Sequence, residues 1–144
     1  MSSFDSLEIT SFDRDIARED DLGSVVRAHI HIESALNSIV EALTPVSEHL
    51  KRLGLDYDQT VTLAMALGVA PAWAPALRAM GSLRNRFAHN LSTVLDASVV
   101  NNLYDSLPAD GKSCVQATFT ALKKDNELLK PADRFVDVDA KGRF

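Results

Sequence analysis

Arg84, Asn85 and His89 fall within one short string, LRNRFAHN, from Leu83 to Asn90. No other stretch of the chain gathers residue types so suited to moving a proton beside an anion. An imidazole titrates near neutrality, so it can accept a proton from an attacking hydroxyl or return one to a leaving oxygen. A guanidinium offers a planar fork of donors that fits phosphate oxygens and binds more strongly as negative charge develops on the phosphoryl group. The carboxamide of Asn85, four residues before the imidazole, shares its helical face and can hold the ring or a phosphate oxygen in place.

Periodicity says what must position these groups. Trp73, Leu77, Met80, Arg84, Phe87 and Leu91 step by four and three, which predicts a helix from about Ala72 to Leu91 with Arg84 interrupting its apolar stripe. A guanidinium in such a stripe needs a carboxylate, a ligand anion or a water-filled crevice. Arg78, Ser82, Asn85 and His89 form the neighbouring stripe, and Arg84 and His89, roughly 140° apart on an ideal helix, would flank one groove. Glu33, on an earlier helix and four residues after His29, is expected to orient or neutralise Arg84. Arg78 and Arg86 are candidates for further phosphate contacts, with Arg86 secondary because its phase points away from both stripes. Trp73 reads as core before it reads as a base-stacking platform.

The remaining elements are helical as well. Val25, His29, Ile32, Leu36, Ile39 and Leu43 form one stripe of a helix from about Asp21 to Leu43, stopped by Thr44-Pro45. A shorter helix carrying Val46, Leu50 and Leu53 ends at Gly54, and another from Thr60 to Leu67 ends at Gly68. Pro71 suits the first turn of the helix that follows. Asp96 is expected to cap a helix through Val99, Leu103 and Leu107, and Asp110 a last one through Val115, Phe119, Leu122 and Leu129 that Pro131 stops. Residues 1–20 are a weakly specified N-terminal segment, 21–130 a single helical domain, and 131–144 a tail or arm. The expected fold is an all-α, up-and-down bundle of about five to six helices.

Composition narrows the function classes. A chain of 144 residues, 46% hydrophobic, supports one ordinary core. Its single cysteine, Cys114, forms no intrachain disulfide and builds no Cys-x-x-Cys zinc site, which with the polar, acidic N-terminus predicts a soluble, cytoplasmic protein without a signal peptide. No stretch is long and apolar enough for a membrane span. The net charge of −5 has the wrong sign for indiscriminate nucleic-acid binding, yet no acidic residue lies between Asp58 and Asp96, while Arg78, Arg84, Arg86 and His89 do. That suits a selected anionic ligand. No helix carries the dense basic face of a DNA-reading element, so direct sequence-specific DNA binding is not expected. No phosphate loop, His-Glu-x-x-His helix or Gly-x-Ser-x-Gly elbow occurs. A metal site from His29, Glu33 and His89, with His31 or His49, is disfavoured because His29 and His31 point to different sides of a helix; neither metal nor cofactor is expected.

The string Leu83-Arg84-Asn85-Arg86-Phe87-Ala88-His89-Asn90 resembles the Arg-Asn-x-x-x-His signature of the HEPN superfamily, matching at Arg84, Asn85 and His89. A wider stretch, roughly residues 20 to 95, with LAMALGV at Leu63 to Val69, is similar to the mannitol operon repressor (MltR) family of helical regulators. The HEPN resemblance implies a helical bundle, a homodimer with a shared groove, and metal-independent RNA cleavage of toxin or phage-defence type. In that chemistry the RNA's own 2′-hydroxyl attacks the phosphodiester, His89 handles the proton, Arg84 stabilises the phosphoryl charge, and Asn85 positions. One histidine hardly serves as acid and base at once, which a two-fold pair of such helices remedies. The MltR resemblance implies instead a non-catalytic regulator working through a protein partner, such as a transcription factor, without touching DNA. An antitoxin is the partner the first reading implies, and Lys130 to Phe144 is a candidate partner-binding arm for the second.

Overall fold

The computed structural model describes residues 20–124 and 143–144. Helix α1 spans Asp21–Leu43, a 3-10 helix Ser47–Leu53, and α2 Tyr57–Ala66; a 3-10 turn Pro71–Trp73 runs into α3, Ala74–His89, and α4 (Ala97–Asp105) and α5 (Ala109–Lys123) follow. The architecture is all-helical, with no strand among the described residues. None of these helices is long and apolar enough to cross a membrane. The N-terminal segment, the candidate arm, Leu129 and Pro131 lie outside the described residues, Asp20 and residues 143–144 excepted.

Side chains at the helix ends explain where the helices start and stop. Asp20 caps α1 by accepting from the Gly23 N–H at 2.7 Å, and Thr44, extended before Pro45, closes it. At the start of α2 the Asp56 carboxylate accepts from Gln59 N–H at 2.8 Å while the Gln59 side chain accepts from Asp56 N–H at 3.0 Å. This reciprocal box satisfies two donors that the first turn would otherwise leave open. Asp56→Ala is expected to lower stability by about 1 kcal/mol, read from a urea midpoint with unchanged slope. Helix α2 ends in a Schellman motif: Val69 N–H donates to Ala64 and Gly68 N–H to Met65, with Gly68 at φ 109°.

The chain divides between Val94 and Leu95 into two compact units, a boundary that falls inside the 21–130 stretch read from sequence as one domain. In the first, α1, α2 and α3 each pack against the other two. Leu36 and Val40 of α1 meet Val61 and Ala64 of α2, and Leu77 of α3 packs on that cluster. At the other end of α1, Leu22 shares a cavity wall with Phe87 and Leu91, so α1 and α3 run antiparallel. The buried stripe of α1 is Val25, Ala28, His29, Leu36 and Val40, leaving Ile39 and Leu43 each 44% exposed. The expected stripe through Ile39 therefore misses by one residue in its second half. There the partner is α2, and the step of four from Leu36 to Val40 follows it.

In the second unit, Asp96 caps α4 as expected, accepting from Val99 N–H at 2.9 Å. Helix α5 begins earlier than expected: Pro108 is its cap residue and Asp110 lies inside the first turn, where its charge complements the helix dipole. Val100 and Phe119 are buried, Lys112 stands over the Tyr104 ring at 5.5 Å, and Cys114 is exposed on α5.

Candidate functional site

Helix α3 buries Ala76, Met80, Leu83 and Phe87, a run of four, three and four residues. Leu83, not Arg84, thus takes the core position between Met80 and Phe87. The expected stripe through Arg84 is corrected by one residue: Arg84 is exposed at the rim, where its charge keeps its water and needs no buried partner. Leu91, the last residue of that stripe, is 92% exposed because the helix ends at His89.

Arg84, Asn85 and His89 all face solvent on the last turns of α3. Arg84 Nη1 donates to Asn85 Oδ1 at 3.1 Å. Asn85 is therefore spent on the guanidinium, not on the imidazole that its spacing suggested. No described carboxylate lies within salt-bridge distance of Arg84, which leaves most of its fork of donors open. Asn90 closes the helix beyond His89, its side chain accepting from Ser92 N–H at 3.0 Å and Ser92 Oγ at 2.6 Å.

Glu33 does not take up its expected salt bridge with Arg84. Its carboxylate lies 3.8 Å from His29 Nδ1, one helical turn back on its own helix, where local geometry brings the pair together without help from α3. His29 is 6% exposed and its ring leans on Tyr57, centroids 4.5 Å apart. Burial holds the imidazole below its ordinary titration range; the Glu33 charge opposes this and the Arg84 charge adds to it. The Tyr57 hydroxyl donates to the Leu77 carbonyl at 2.8 Å, and burial followed by the Glu33 charge pushes it up to about 12.

The pH dependence of stability follows from the sign of the His29 shift. Between its folded and unfolded titration points the unfolded chain binds the extra proton, so His29's share of stability is lost as pH falls below about 6.5, the unperturbed value. Urea midpoints are expected to drop from pH 7.5 to pH 5, and His29→Leu to flatten that drop, as the unfolding curves of the two proteins would reveal.

Tyr57 and Gly81 are the residues that sequence reasoning missed. A Cβ on Gly81 would lie 2.8 and 2.9 Å from two carbons of the Tyr57 ring. Gly81→Ala gains about 1 kcal/mol of helix propensity, but forces this ring off both Leu77 and His29. We expect net destabilisation of about 1–2 kcal/mol, the usual range for overpacking, read as a lower melting temperature. A mid-helix glycine was the available signal, since it commonly marks a close approach of another group.

Two other expectations change. Arg78, a candidate phosphate contact, donates from Nε to Asp58 Oδ1 at 2.9 Å and from Nη2 to Thr62 at 3.1 Å, so it ties α2 to α3 and is already neutralised. Arg86 is exposed and stays a secondary phosphate candidate; Trp73 is half-buried in the turn before α3. Among the described residues, no three His, Cys, Asp or Glu side chains converge as metal ligands. A cavity of about 190 Å³ at the end of α3 is lined by Asp20, Asp21, Leu22 and Phe87 among others, and its two carboxylates suit no phosphate. No protein-family model, curated protein or solved structure matches the chain.

Proposed function

We propose that this protein is a HEPN-like, metal-independent endoribonuclease of toxin or defence type, cytoplasmic, and active as a homodimer. The observation that carries the reading is the exposure of Arg84, Asn85 and His89 together on one helix end, with a guanidinium that no described carboxylate neutralises. The RNA 2′-hydroxyl attacks phosphorus, the 5′-oxygen leaves, and a 2′,3′-cyclic phosphate results. His89 takes the first proton or supplies the second, and its counterpart in a second copy performs the other transfer. Arg84, steered by Asn85, binds the non-bridging oxygens as their charge grows. The test is a labelled RNA pool incubated in chelator with wild type, Arg84→Ala and His89→Ala, beside growth of bacteria expressing each. Cleavage by wild type alone supports the enzyme.

One observation favours a second reading, an MltR-like module acting through a protein partner. Ile39, Leu43, Val46 and Leu53 are exposed along the end of α1 and the 3-10 helix after it, a surface of the kind that interfaces cover. Absence of cleavage by all three proteins, with equal growth, assigns the chain to that class.

A further inference from the structure

Ile39 and Leu43 on the last turns of α1, with Val46 and Leu53 at the two ends of the 3-10 helix, form an exposed apolar face at one end of the first unit. The core beneath does not need them. Leu36 and Val40 already meet Val61 and Ala64, and Leu50 packs on that cluster from the 3-10 helix. Charges are ordered along the same strip: Glu48 stands in the first turn of the 3-10 helix and Lys51 and Arg52 in its last, all three exposed. Side chains three apart eclipse one another in a 3-10 helix, so Glu48 and Lys51 share one side. The described ion-pair neighbour of Glu48 is the exposed His49 at 3.7 Å, and no described carboxylate lies within salt-bridge distance of Lys51 or Arg52.

We propose that this face is a two-fold contact with a second copy of the chain, in which the two 3-10 helices lie antiparallel and Glu48 of each meets Lys51 of the other. A two-fold contact sets a surface against itself turned by half a revolution, so its residues must be complementary in reverse order. Turned about a point between His49 and Leu50, the strip sets Val46 against Leu53 and Glu48 against Lys51, with Arg52 facing Ser47 and no like charges opposed. A foreign partner would require no such reversal. Area points the same way: a stable contact hides about 800 Å² on each partner, more than four partly exposed side chains supply. The charged residues beside them are therefore covered too and must meet opposite charges. The contact goes beyond both readings of function and rests on neither. Leu43 lies about 30 Å along α1 from Leu22, which shares its cavity wall with Phe87. Both sets of Arg84, Asn85 and His89 thus stay at the outer ends, and a separate pairing there builds an assembly larger than two.

Mass in solution, read by light scattering after gel filtration at matched concentration, tests the contact. The proteins are wild type, Glu48→Lys, Lys51→Glu/Arg52→Glu and the chain carrying all three changes. The first two variants leave charges of one sign along the strip, which is expected to raise the dissociation constant about tenfold or more and to halve the mass relative to wild type. An equimolar mixture of those two, one positive and one negative along the strip, is expected to regain the wild-type mass. So is the triple variant, whose polarity is reversed throughout. Because it carries every substitution at once, its regained mass also shows that these changes leave the fold intact. A wild-type mass equal to that of the single-sign variants overturns the proposal and leaves the face to a different protein. A halved mass that neither the mixture nor the triple variant restores overturns it as well. RNA cleavage, present or absent, decides the function and does not enter either outcome.

Discussion

His89→Ala is expected to reduce RNA cleavage in chelator by about two to four orders of magnitude, the usual contribution of a positioned acid or base. Arg84→Ala should reduce it by about two to three orders, on the scale of removing one charge-stabilising donor, and Arg84→Lys should recover little, because an ammonium lacks the planar fork. Single-turnover rates of all three variants check these values. Both positions are exposed, so their loss leaves the core intact. Melting temperatures within a degree or two of wild type are therefore part of the expected result. In bacteria the same variants should relieve growth arrest, and a variant as harmful as wild type would remove the role assigned to these residues.

Phe87→Ala should have the largest effect on stability. Phe87 lies two residues before His89, 2% exposed, on the face of α3 that carries Met80 and Leu83. Truncating a buried phenylalanine costs about 3–5 kcal/mol, against about 5–15 kcal/mol for a whole domain. A variant that is substantially unfolded at 37 °C, with a urea midpoint displaced by more than any surface change here, is the expected outcome. Cleavage lost in Phe87→Ala would return on cooling or with osmolyte as the folded fraction recovers, whereas cleavage lost in His89→Ala would not. A midpoint close to wild type would mean that α3 is not anchored through this ring.

Much of the fold was legible because helix ends carry local chemistry. Asp96, Thr44-Pro45, Gly54 and Gly68 mark their boundaries through hydrogen bonds or backbone angles that a few neighbouring residues decide. Facing was harder to read. Leu83 and Arg84 both fit a stripe that includes Met80 and Phe87, and only the packing of α3 against α1 and α2 selects between them. Glu33 illustrates the same limit: its nearest partner is His29 on its own helix, and sequence spacing does not reveal that Arg84 turns to Asn85. Tyr57 and Gly81 meet across two helices, so neither residue announces the contact by its own surroundings. The trio of Arg84, Asn85 and His89 was the easiest feature to find, since one helix end holds all three.

The exposed sulfhydryl on α5 has a practical consequence. As the chain's sole cysteine, it takes one maleimide label per polypeptide without any engineered handle. Two associated copies would then carry a matched pair of probes related by their symmetry axis. Their separation, read by spin–spin coupling or energy transfer, would count copies and follow assembly during RNA turnover while every residue of the proposed chemistry stays native.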